Sequence, residues 1–97
     1  MLDNASRPGR LEQDAHRLKA IGDWTLPHYA SLRDAVARVH EAESIDLERL
    51  GELDTSGAAL LVDLLGPDTV RDVAQWAPNL AAERQALLRA VADASRT

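Results

Sequence analysis

The chain has 97 residues, 11 basic and 16 acidic side chains, a net charge of −5 and no cysteine. That length supports one domain with one core, and the lack of cysteine excludes a disulfide scaffold. The acidic balance argues against a nucleic acid or an anionic lipid surface as the main partner.

No apolar run approaches the ~20 residues that span a bilayer. The first residues, Met1 to Gly9, lack the apolar centre of a secretory signal, so the expectation is a cytoplasmic domain. With two tryptophans, one tyrosine and no phenylalanine, the core must be built from Leu, Val, Ile and Ala.

Residues 1–9 are polar, contain Pro8-Gly9, and read as a flexible lead-in. Residues 10–94 read as the domain and 95–97 as a short tail. Leu11 to Asp14 reads as a short edge strand. Arg17 to Ile21 alternates charged and apolar residues, as a half-buried strand does, with Asp14-Ala15-His16 as the hairpin connection. Gly22-Asp23 is expected to break that run.

Trp24 and Leu26 are apolar anchors, and Pro27 suits a first helical turn. Tyr29, Leu32, Val36 and Val39 recur at steps of three and four, which places them on one face of a helix, with Arg33, Asp34 and Arg38 off it. Ser44 to Leu47 reads as a strand with Ile45 and Leu47 on one side and Asp46 on the other. Glu48 to Glu52 reads as a charged connection.

The run from Gly57 to Leu65 is apolar on nearly every helical face, with Asp63 the exception. Such a helix is either an inner packed element or a surface shown to a partner. Gly66-Pro67 ends it. Val70, Val73 and Trp76 are spaced by three, the step of a helical turn. The last helix is expected to be capped by Asn79 and to bury a stripe of Leu80, Leu87, Leu88 and Val91, while Arg89, Asp93 and Arg96 keep it solvated.

The stretch with chemical interest is Leu53-Asp54-Thr55-Ser56-Gly57-Ala58. Asp54 is a good N-cap residue, because its carboxylate can accept an orphan amide of the first helical turn. Thr55 and Ser56 then lie in that turn, where a phosphate would meet unpaired N–H groups and the positive end of the helix dipole. Gly57 permits close approach of another backbone. One reading is a hydroxyl switch at a helix start; the other is a capped helix with no further role.

Ile45-Asp46-Leu47 followed by Leu53-Asp54-Thr55-Ser56-Gly57-Ala58 resembles the signature of STAS domains. This family includes anti-sigma factor antagonists, cytoplasmic domains of sulfate transporters and a domain of Mla-type lipid ABC transporters. Ile21-Gly22-Asp23-Trp24-Thr25-Leu26 is similar to the segment before the first helix in the Mla-type branch. The resemblance covers roughly residues 10 to 92. It implies a mixed four-stranded α/β sheet with helices packed against it, in the order β-β-α-β-α-β-α, and therefore a strand at about Thr69 to Val73.

The resemblance also implies that Thr55 is the switch hydroxyl, with Ser56 its neighbour, and that Asp54, Thr55, Ser56, Gly57 and Ala58 form the partner contact. In the transporter branch the partner is the ABC ATPase subunit, and the domain hydrolyses nothing itself. In the antagonist branch the partner is a kinase that doubles as an anti-sigma factor, and phosphorylation of Thr55 or Ser56 breaks the complex. Antagonists often carry serine directly after the aspartate, and threonine stands there in this chain.

Other chemistry finds little support. His16, His28 and His40 are twelve residues apart with no second ligand at metal spacing, so no metal or other cofactor is expected. Neither a Walker-type loop nor a dinucleotide-binding glycine turn is present. Asp54 and Thr55 are adjacent at a helix start with no third group to orient them, so catalysis is not expected. Arg84, Arg89 and Arg96 read as a solvated helix face.

Overall fold

The computed structural model describes residues 8–14, 17–39 and 44–95. The expected hairpin residues Ala15 and His16, as well as His40 and Arg96, lie outside them. Along the described chain run β1 (Arg10–Asp14), β2 (Arg17–Trp24), a 3-10 turn (Leu26–His28), α1 (Tyr29–Ala37), β3 (Ser44–Asp46) and β4 (Leu50–Leu53). Four helices follow: α2 (Thr55–Leu65), α3 (Pro67–Arg71), α4 (Val73–Trp76) and α5 (Ala82–Ser95).

Over the described residues the protein is mixed α/β: a four-stranded mixed sheet with five helices packed on it. β1 lies antiparallel to β2, with Asp14 opposite Arg17 and Arg10 opposite Ile21. β3 and β4 follow one another along β2, both parallel to it, β3 against Arg17 to Lys19 and β4 against Gly22 to Trp24. Leu18 and Ala20 are fully buried while Arg17 and Lys19 are exposed, as the alternation of a strand with one covered face requires.

α2 is the inner helix. It contacts α1, α3, α5, β2 and β4, and buries Gly57, Ala58, Leu60, Leu61 and Val62. Its nearly all-apolar circumference therefore serves packing. Its stop is the expected one: Gly66 has φ 88°, a backbone state that costs glycine nothing. In α1, Leu32 is buried, Tyr29 and Val36 are half-buried, and Arg33, Asp34 and Arg38 face solvent. On α5, Leu88 and Ala92 are buried, with Leu87 and Val91 packed beside them.

Five expectations are corrected. First, Gly22-Asp23 does not break β2. Gly22 takes φ 77° at a register shift, and the strand continues to Trp24; a glycine bulge lets the ladder resume. Second, the connection from Glu48 to Glu52 contains β4, because the turn Leu50 N–H to Leu47 C=O returns the chain to the edge of β2. Third, Pro8 bridges Asp23 and Gly9 packs on the Asp23 carbonyl, so those two residues belong to the fold.

Fourth, Asn79 does not cap the last helix. α5 begins at Ala82, and the Ala81 carbonyl accepts from Arg84 and Gln85. Fifth, Thr69 to Val73 forms no strand. Val70 and Val73 are fully buried on helical turns and Trp76 packs beside them, while Pro67 opens α3. In a strand, Val70 would share a face with Asp72; at helical spacing the three apolar residues fall together. The Trp76 indole N–H donates to the Thr69 carbonyl at 2.9 Å and ties the two short helices.

Candidate functional site

The segments Gly22–Leu26 and Asp54–Gly57, far apart in sequence, are joined by several backbone ties. The Asp54 N–H donates to the Trp24 carbonyl at 3.3 Å. One oxygen of the Asp54 carboxylate, Oδ1, accepts the Gly57 amide at 3.1 Å, the expected N-cap bond. The other, Oδ2, accepts the Leu26 amide at 3.0 Å, across 28 positions of sequence. One side chain thus caps α2 and fixes the chain leaving β2.

Trp24 sits beneath this junction, fully buried, with its indole N–H donating to the Arg10 carbonyl at 3.3 Å. Gly57 lies on the Trp24 backbone. A Cβ there would come within 2.7 Å of the Trp24 carbonyl carbon and 2.8 Å of its Cβ, so only glycine lets α2 start this close to β2. Asp23 is the buried charged residue of the region, and its Oδ1 accepts the Glu52 amide at 2.9 Å, holding β4 to β2 beside the bulge. Gly51 faces the same carboxylate, with no room for a side chain.

The five residues expected at a partner contact are therefore placed unequally. Thr55 is exposed, Asp54 and Ser56 are half-buried, and Gly57 and Ala58 are buried. Thr55 and Ser56 occupy the first turn of α2, and the first helical amide to find a backbone partner is that of Ala58, donating to the Asp54 carbonyl at 2.9 Å. The end of α2 thus offers solvent a hydroxyl and first-turn N–H groups, with partial positive charge from the helix dipole.

The sequence reads Leu26 as an apolar anchor, and the structure corrects this. It is 65 % exposed, the large hydrophobic residue most open to solvent among those described, and its own amide is bound to the cap of α2. The chain at Leu26 is thus tied to the cap residue that directly precedes Thr55. Arg84 is a second residue whose position could not be read locally: its guanidinium donates to the Gly51 carbonyl, pinning α5 to β4.

Among the described residues no cluster of three or more His, Cys, Asp or Glu side chains is arranged to hold a metal. No helix among them is long and apolar enough to cross a membrane. No family model, no curated protein and no solved structure matches the chain.

Proposed function

We propose that this chain is a non-catalytic interaction module of the STAS type, which docks a partner on the start of α2. The partner proposed is the ATPase subunit of an Mla-type lipid ABC transporter. The observation that carries this reading is the junction at Asp54: the two segments that resemble the family meet there, and Thr55 stands exposed on top of them. Asp54, Gly57 and Ala58 act as the frame, whereas Thr55, Ser56 and Leu26 supply the contact surface. The helical stretch Pro67–Trp76 departs from the family's pattern, which has a strand there.

A partner seated over Thr55 removes water from it. A carboxylate at that position would then be buried without a counter-charge, which costs several kcal/mol. In calorimetric titration against a purified Mla-type ATPase subunit, Thr55→Asp should weaken binding on the order of thirtyfold or more, and Thr55→Ser should retain it. Equal affinity for Thr55→Asp and the parent chain would remove Thr55 from the contact.

The exposure of the Thr55 hydroxyl also favours a second reading, an anti-sigma factor antagonist switched by phosphorylation. A phosphate on Thr55 adds roughly −1.5 to −2 charges over the first-turn amides, close to the Asp54 carboxylate. The module would tolerate it, and a partner desolvating the same surface would not. Incubation with an active cognate kinase and ATP should add one phosphoryl mass at Thr55 or Ser56; an unmodified chain under those conditions rules this reading out.

A further inference from the structure

We propose that the outer edge of β3 is a docking groove for the C-terminal tail of a partner protein, laid as an added strand parallel to β3. Among the described residues, β3 pairs with β2 on one side only. Its other side opens on a groove of about 650 Å³. Its lining includes five consecutive residues, Ser44 to Glu48, and the consecutive run Trp76 to Ala81. A slot between a strand edge and a facing chain has the shape of an extended peptide. Backbone pairing to a free edge supplies affinity, and alternate side chains read the walls. At ~3.3 Å per residue the run from Ser44 to Glu48 accommodates about five residues of strand.

The helical fold of residues 67–76 creates this slot. A strand there would have had the edge of β3 as a pairing partner; α3 and α4 instead stand back from it and contribute Thr69 and Trp76 to the lining. Leu65, Trp76 and Leu80 are half-buried apolar residues on that lining, so alternate apolar side chains of the guest would face them.

Charge sets the direction of the guest. Arg84 is half-buried at the β4 end of the groove, where it donates to the Gly51 carbonyl, and no carboxylate among the described residues pairs with it. β3 runs towards that end. A guest parallel to β3 therefore brings its C-terminal carboxylate to Arg84, whereas an antiparallel guest would bring a positive amino terminus there; Arg17, which lines the opposite end beside Ser44, is exposed, so solvent screens its charge and it competes less for that carboxylate. Asp46 lines the middle of the slot and Glu48 lies towards its β4 end, and the Asp46 carboxylate accepts the Glu48 amide at 2.8 Å. They favour an uncharged body for the guest, with the negative charge confined to its end.

The test uses the full 97-residue chain, isotope-labelled, titrated with an octapeptide of alternating valine and threonine bearing a free C-terminal carboxylate. Amide resonances of Ile45 to Glu48 and of Ala77 to Ala81 should shift together. C-terminal amidation of the peptide should weaken binding several-fold, and Ala81→Trp, at an exposed groove position, should abolish it while leaving the remaining spectrum unchanged. The proposal is overturned by an absence of shifts at millimolar peptide, by shifts confined to other surfaces, or by equal binding of the free acid and the amide. It is also overturned if the same resonances shift with protein concentration alone, since the edge would then be an interface between two copies of this chain.

Discussion

Asp54 divides its carboxylate between the Gly57 amide and the Leu26 amide. Removing it leaves an uncapped helix and an untied entry into the 3-10 turn. Asp54→Ala should lower unfolding free energy by about 2 kcal/mol, read as a lower urea midpoint, with Asp54→Asn falling between it and the parent. Gly57 is constrained from the other side. With no space over the Trp24 backbone, Gly57→Ala should cost about 1–3 kcal/mol by pushing α2 off β2, even though alanine is the better helix former. Leu26→Ser separates binding from folding. Its side chain is mostly in solvent, so stability should stay within ~0.5 kcal/mol of the parent while affinity for the partner at α2 falls.

The segment after Gly66 shows how elements are decided. Val70, Val73 and Trp76 carried a helical period in the sequence, while the family resemblance implied a strand over the same residues. The local pattern prevailed, because the period put two fully buried valines and a tryptophan on one side and left Asp68, Arg71 and Asp72 in solvent. Backbone carbon chemical shifts should therefore report helix over Pro67–Arg71 and Val73–Trp76; extended shifts over Thr69 to Val73 would restore the strand. β2 shows the converse. A glycine followed by an acid looked like a terminus, and the strand continued because Asp23 found the Glu52 amide and Gly22 could adopt positive φ. Neither partner is visible from the neighbouring sequence.

At the scale of the whole molecule one core joins both halves of the chain. Leu18, Ala20 and Trp24 from β2 meet Leu60 and Leu61 from α2, Val70 from α3, Val73 from α4, and Leu88 and Ala92 from α5. The radius of gyration, 12.7 Å, agrees with the ~12.5 Å of a compact chain this long. Leu61→Ala, at the centre of this cluster, should cost about 2–5 kcal/mol, and unfolding followed by tryptophan fluorescence and by far-ultraviolet dichroism should give one coincident transition. Separate transitions would mean that the helices unfold apart from the sheet.

The amphipathic face of α1, the alternation of β2, the cap at Asp54 and the stop at Gly66 were legible in the residues themselves, because each follows from a local period or a local hydrogen bond. The place of Thr55 in the first turn of α2 followed from the cap as well, and its exposure did not. Tertiary structure alone decided which far-off amides Asp54 and Asp23 would reach, why Gly51 and Gly57 admit no side chain, where Arg84 anchors, and that among the described residues β3 has a strand on one side only. These depend on distances between segments tens of residues apart, and such distances are set by how the whole core packs.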